Sequence, residues 1–323
     1  MTSPTIQIIQ PKNETDWLAL RAQDVTSTES AALFNASPYL TRFELWHRKR
    51  DGVIVTLDPN ERIKWGTRLQ DTIAKGVAED HGWTIRRMDE YCRDPKLRMG
   101  SSFDFRVISG KEGFATDYSY DLKDCPSDSL LEIKNVDALQ FRDGWLVNGD
   151  DIEAPPHIEI QVQHQLAVSG LDMAYIAALV GGNAVKVIER RRDERMIGVI
   201  RAKVGEFWES VDNNLAPSPD WSRDSKAVIR MYSYAEPGRI FDARNDAEVA
   251  TLVQEYIGHA DAEKTAKAGK ETAKAQILQR IGEAEKVLGE GWTISAGLVG
   301  PAHVEYEREG YRGFRVNRPR GKK

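Results

Sequence analysis

The sequence predicts an α/β (α+β) fold, a mixed central β-sheet flanked by helices with a helical C-terminal extension. Three observations predict it. Apolar residues recur at helical spacing in several stretches, short runs alternate at period two between them, and a Gly181-Gly182-Asn183 turn joins two such runs as a hairpin. The resulting order is helices, several strands, a helix, a hairpin and a helix, which is a sheet covered by helices. At 323 residues the chain has room for about two domains. The composition divides it into a core over 1–220 and an extension over 221–323, where Ala, Lys, Glu and Gln dominate.

Taken in order, Trp17, Leu18 and Leu20 have helical spacing, and the hydroxyl run Thr26-Ser27-Thr28 before Ala31-Ala32-Leu33 marks a helix start with Ser27 or Thr28 as N-cap. Ser37-Pro38-Tyr39 is a turn, and Arg42 to Arg50 a short basic helix. Asn60 to His81 is a long amphipathic helix with Ile63, Leu69, Ile73 and Val77 as its buried stripe. A strand is expected from Trp83 to Met88 and another, unbroken, from Met99 to Ile108. A polar stretch, Gly110 to Ser129, leads into Leu130–Val136 (LLEIKNV), the central strand. After a loop, His157 to Val168 reads as a helix. Met173 to Val180 and Val185 to Arg190 form the hairpin, and a helix from Glu194 to Val211 closes the unit near Pro217. Beyond it, Asp246 to Leu288 is helical, with 262–275 solvated or lying along something charged. Trp292 to Lys323 is a short hairpin followed by a basic tail from Arg312 to Lys323.

An apolar fraction of 41% and a charged fraction of 29% describe an ordinary globular chain. The net charge of -5 does not advertise nucleic-acid binding, but a whole-chain sum says nothing about a basic groove. Two cysteines, Cys92 and Cys125, are too few for a disulfide framework or a zinc site. No apolar run reaches the ~18 residues that span a bilayer, and the polar start lacks a signal pattern. A cytoplasmic location is expected, with no membrane partner.

Alternation along LLEIKNV places Glu132 and Lys134 on one face, and Leu131, Ile133 and Asn135 on the other. A strand with one wet face also produces Glu-x-Lys. Here, however, Asp104 ends an apolar run upstream, and Gln161-Val162-Gln163-His164-Gln165 follows on a helix. Asp104 and Glu132 on adjacent strands form a hard oxygen set that suits Mg²⁺, with the Ile133 carbonyl as an extra ligand. Lys134 would polarise the attacking water and offset anionic charge. Metal-assisted phosphodiester hydrolysis is the chemistry these groups suit. Arg21 beside the hydroxyls of a helix start is either a phosphate seat or a plain cap. There is no HExxH, P-loop, GxGxxG or GxSxG pattern.

These residues resemble the PD-(D/E)XK nuclease superfamily, and within it the YqaJ-like viral recombinases that include phage lambda exonuclease. The resemblance runs over roughly Trp17 to Val211: Arg21 with Val25 to Glu29, Ser37-Pro38-Tyr39, Leu45-Trp46, Trp65-Gly66-Thr67, LLEIKNV, QVQHQLAV and Phe207-Trp208. It implies a restriction-endonuclease-like core and a metal-dependent exonuclease that degrades one strand of linear duplex DNA from a 5′ end, in phage recombination. A ring-shaped homotrimer and a phage single-strand annealing partner are further implications. So is Mg²⁺ as cofactor, with Mn²⁺ as a substitute and two ions per site. The resemblance makes Asp104, Glu132 and Lys134 the catalytic set, and has Arg21, Thr28, Ser102 and Gln161 cradle the terminal 5′-phosphate.

One departure is Gln70, where the family has a helix Glu that supports the metal. Gln keeps the shape but not the charge, and it leaves three accounts open: a tolerated variation, an engineered inactivation, or a lineage without activity. Neighbouring Asp71 projects about 100° away around the helix. The other departure is the long gap after Asp104, in which Asp117 or Asp121 is the rival ligand. An endonuclease or flap nuclease, and a silent DNA-end-binding protein, are the alternatives to the exonuclease.

Overall fold

Short polar caps set the helix boundaries in the first part of the chain. The computed structural model describes residues 6–54, 60–108, 128–149, 151–308 and 310–316. After strand β1 (Gln7–Ile9), the Asn13 side chain accepts from the Asp16 N–H and starts α1 (Glu14–Gln23). A two-residue strand β2 (Val25–Thr26) follows, then α2 (Ser27–Ser30) and a 3-10 turn, Ala31–Phe34. The cap of α2 is Thr26, not Ser27 or Thr28. Glu29, three residues on, accepts from both the N–H and the hydroxyl of Thr26 at 2.9 Å, which moves the start one residue back. Helix α3 (Arg42–Arg50) lies where the basic run predicts it.

Asn60 caps α4 (Glu61–His81), and Gly82 ends it in the left-handed region at φ 64. Its buried stripe is Ile73, Ala74, Val77 and Ala78, whereas Ile63 is exposed and Leu69 only half-buried. The expected stripe was therefore placed too early, because α4 packs on the sheet through its C-terminal half.

The strands β3 (Thr84–Arg87), β4 (Tyr91–Asp94), β5 (Met99–Ser102) and β6 (Phe105–Ile108) come next, then β7 (Ser129–Val136). The rival ligands Asp117 and Asp121 lie outside the described residues. Helix α5 (Ala138–Gly144), the hairpin β8 (Leu146–Asn148) and β9 (Asp151–Glu153), and α6 (Pro156–Ser169) follow. The hairpin β10 (Met173–Val180) and β11 (Ala184–Arg191) and the helix α7 (Glu194–Asp212) match the expected elements. Strands β1 and β4, helix α5 and the β8–β9 hairpin were not foreseen.

Two sheets result. One has the order β11-β10-β7-β6-β3, with β10 and β7 parallel and the other pairs antiparallel, so it is mixed. The other has the order β1-β4-β5-β2. The single strand expected over Met99 to Ile108 is thus two strands in different sheets. The break falls at Phe103 and Asp104, where Phe103 is buried and the Asp104 carbonyl accepts from the Met88 N–H at 3.1 Å.

Alternation along β7 separates the apolar core into two groups. Leu130 and Val136 join Ala174, Ile176, Ala178 and the α6 residues Ile158, Val162 and Leu166. Leu131 and Ile133 join Ala177 and the stripe of α4. Every residue of α6 from Ile160 to Val168 is buried, the mark of a helix covered on all sides.

The chain divides into two compact units, Met1–Ala227 and Val228–Lys323, and the division falls inside α8 (Trp221–Met231). The second unit holds the 35-residue helix α9 (Ala247–Ile281), which has no buried residue, and a hairpin of β12 (Lys286–Gly289) and β13 (Trp292–Ser295). Trp292, expected to begin the last hairpin, begins its second strand. Of the basic tail, Arg312 and Arg315 are described; Arg318, Arg320, Lys322 and Lys323 lie outside the described residues. No helix among the described residues is long and apolar enough to cross a membrane.

Candidate active site

A gap between two paired strands creates the site. Strands β6 and β7 are paired through Val107↔Ser129, Arg106↔Leu130 and Phe105↔Leu131, and there the ladder stops. The next N–H on that edge, Ile133, is taken instead by the Asp104 carboxylate, whose Oδ2 accepts it at 2.8 Å. Asp104 therefore replaces a missing strand residue with its side chain. In an antiparallel ladder a residue's N–H and C=O leave by the same edge. The Ile133 carbonyl accordingly faces the same gap.

On the opposite pleat Glu132, 5% exposed, is held by three donors. Its Oε1 accepts from Lys134 Nζ at 2.6 Å and Gln161 Nε2 at 2.7 Å, and its Oε2 accepts from Gln165 Nε2 at 2.7 Å. Lys134 also donates to Gln161 Oε1 at 3.1 Å. Gln161 and Gln165 are four apart on α6 and share one helical face. The sequence reading named Gln161 and missed Gln165. The repeat of Gln at that spacing, opposite a strand Glu, was the available signal.

The charges are unbalanced. Burial, reinforced by the neighbouring Glu132 charge, pushes the Asp104 carboxyl up to about 7. Burial alone would lower the Lys134 ammonium, but the Glu132 and Asp104 carboxylates more than offset it and hold it above the ordinary lysine value. Burial and then the Lys134 charge depress His157. Asp104, Glu132 and the Ile133 carbonyl are the hard oxygens available to a cation. Among the described residues no cluster of three or more His, Cys, Asp or Glu side chains is placed to hold a metal ion.

The expected phosphate-binding residues form a second group. Arg21 donates to Thr28 Oγ1 at 3.3 Å and lies over the Trp17 ring, and the Trp17 indole donates to Ser102 Oγ at 2.7 Å. Lys49, almost fully buried, bonds both the Arg21 carbonyl and the Glu29 carboxylate at 2.8 Å. It ties α3 to the two elements that carry Arg21 and Thr28. Thr28, Lys134 and Gln161 open onto one cleft of about 880 Å³. Gln70 shares none of the Glu132 or Lys134 bonds. It is half-buried on α4, on the other face of the sheet, one turn before Ile73 and Ala74. Asp71 beside it is paired with Arg87 at 2.6 Å.

An Asp at a strand break and a Glu-x-Lys on the next strand of a mixed sheet are the arrangement that the PD-(D/E)XK resemblance leads one to expect. Residues 16–172 match the model of the YqaJ-like viral recombinase domain, so the chain is similar to that family over this stretch. A relative described as uncharacterized protein YqaJ, from Bacillus subtilis (strain 168), is 26% identical over 264 residues, which is 80% of this chain and 76% of the relative. Among solved structures, the alkaline exonuclease LHK-Exo from Laribacter hongkongensis is 16% identical with a TM-score of 0.44, covering 66% of this chain and 98% of its own. A phage-related exonuclease from Haemophilus somnus 129PT is 13% identical with a TM-score of 0.39, covering 64% and 90%.

Proposed function

We propose that this protein is a metal-dependent deoxyribonuclease that removes nucleotides 5′-to-3′ from one strand of linear double-stranded DNA, in phage or prophage recombination. The observation that carries the reading is the Glu132–Lys134–Gln161 hydrogen-bond cluster, with Asp104 held by the Ile133 N–H beside it and Lys134 and Gln161 opening onto the cleft. The match of residues 16–172 to the YqaJ-like viral recombinase domain supports it.

The donor set fits a hard divalent cation, Mg²⁺ or Mn²⁺. Two carboxylates, Asp104 and Glu132, stand beside one ammonium, Lys134, and burial and then the Glu132 charge raise the Asp104 carboxyl. When bound, such an ion supplies charge stabilisation to the phosphodiester and lowers the pKa of bound water. Asp104 and Glu132 would hold it, with the Ile133 carbonyl. Lys134, kept protonated by both carboxylates, presents a compact cation to a phosphate oxygen and a hydrogen bond that positions the water. Gln161 and Gln165 fix the orientation of Glu132. In this reading Arg21, Thr28 and Ser102 hold a terminal phosphate through charge-assisted bonds. Arg21 would then exchange its bond to Thr28 for one to the ligand. A homotrimer and a phage single-strand annealing partner belong to the same reading.

The test is digestion of linear duplex carrying 5′-phosphates, with Mg²⁺ and with EDTA. The expected result is progressive loss of one strand from its 5′ end, only with the metal, and no cutting of a closed circular duplex. Lys134→Ala lowers the rate at least about a hundredfold while the circular dichroism spectrum is unchanged. Digestion at the parent rate by that variant rejects the assignment.

One observation favours a second reading, a DNA-end-binding protein that does not cut. Both Glu132 oxygens already accept protein donors, and neutral Gln70 shares none of those bonds. Under this reading neither the parent nor Gln70→Glu digests DNA. Digestion appearing only in Gln70→Glu marks an attenuated exonuclease.

A further inference from the structure

At the mouth of the same cleft the chain exposes an aromatic ring on a loop that is otherwise pinned. The Ala36 and Ser37 N–H groups both donate to the Ala31 carbonyl, at 2.9 and 3.2 Å. Ser37 Oγ accepts from the Tyr39 and Leu40 N–H groups at 3.2 and 3.1 Å, and the Arg223 guanidinium donates to the Ser37 carbonyl. Leu40 is buried, yet Tyr39 is 79% exposed. Its ring meets His157 edge-on, with centroids 6.0 Å apart and planes at 88°. Tyr39 and His157 line the cleft together with Lys134, Gln161 and Thr28.

Packing does not explain this ring, because most of its surface faces solvent. A fixed backbone with a free aromatic face has already lost on folding the entropy that binding would otherwise cost, so the geometry favours a flat ligand. Beside a site that handles a phosphodiester, the flat group at hand is a nucleobase, and aromatic side chains stack with any of the four.

We infer that Tyr39, braced by His157, is a stacking platform for the base of a nucleotide adjoining the phosphodiester that meets Lys134. The inference rests on the nuclease reading above and adds a base-binding subsite to it. The T-shaped contact holds the Tyr39 ring from one side and leaves its face to the base. Stacking of this kind tolerates every sequence, so the subsite contributes grip on the strand rather than sequence choice.

The test uses the full chain in EDTA, so that nothing is cut, and duplexes carrying 2-aminopurine at the terminal position of one strand or the other. Binding is followed by anisotropy and stacking by quenching of the 2-aminopurine emission. The parent and Tyr39→Phe bind and quench one of the duplexes; Tyr39→Ala loses the quenching and binds about tenfold or more weakly. Tyr39→Ala that binds and quenches like the parent overturns the platform while leaving the nuclease reading intact. A parent that binds neither duplex overturns the platform, while the nuclease reading stands or falls on digestion with Mg²⁺. Loss of affinity in Tyr39→Phe as well as Tyr39→Ala, with parental quenching in both, assigns the residue to a hydroxyl contact instead and also overturns the platform.

Discussion

Asp104 carries a charge that the metal-free fold resists. Its carboxyl is raised to about 7 by burial and by Glu132, against an ordinary value of 3.8. Below 3.8 the folded and unfolded chains are both protonated there, and the raised value costs nothing. As pH rises through the interval to about 7 the unfolded chain gives up its proton first, so folding stability falls. Above 7 the loss is complete. Asp104→Asn, which keeps an acceptor for the Ile133 N–H, is therefore expected to raise the melting temperature in EDTA by about 5 °C at pH 8, after discounting for partial exposure. The gain shrinks toward zero by pH 4, and calorimetry at several pH values checks it. Parent and variant melting alike at pH 8 removes the charge conflict from the account. Arg21 gives a second prediction at this scale. Arg21→Ala should lower the preference for 5′-phosphorylated over hydroxyl-ended duplex about tenfold, read from competing digestions or from equilibrium binding.

At the scale of elements, Lys49 joins three of them: its ammonium reaches from α3 to the Arg21 carbonyl on α1 and to Glu29 on α2. Lys49→Met leaves the Glu29 carboxylate without its cation in a largely buried place. The expected cost is about 2–3 kcal/mol by urea denaturation, together with a weakened preference for phosphorylated ends. Elements with a strong period or a plain cap were legible in the sequence: α3, α4, α6, α7, β7 and the β10–β11 hairpin all lie where the pattern puts them. That Glu132 and Lys134 share a face was legible too, because alternation in a strand is a local fact, whereas Gln161 entered only through the family resemblance. The break at Asp104 was not legible. Met99 to Ile108 is continuously compatible with a strand, and only pairing to two different sheets divides it. The bonds of Gln161 and Gln165 to Glu132 were not legible because they join a helix to a strand about thirty residues away, and β4, β8 and β9 were not because strands of three or four residues carry little pattern.

For the whole molecule, the division into Met1–Ala227 and Val228–Lys323 makes a clean prediction. A chain ending at Met231, so that α8 stays whole, should melt in one cooperative transition near that of the corresponding unit in the full protein. Aggregation or loss of the transition would show that the part of Val228–Lys323 beyond Met231 is needed for folding. Light scattering on the full chain is expected to give three times 36.4 kDa, and a monomer at micromolar concentration rejects the ring. A last consequence comes from the splayed strands. Asp104 sits where the chain passes from one sheet to the other, and its grip on Ile133 spans the joint. The Ile133 amide proton is thereby a built-in spectroscopic sensor. In a nitrogen-labelled sample its shift should move downfield as Asp104 ionises and upfield as a cation draws the carboxylate away, and its exchange with solvent should quicken if the two sheets part.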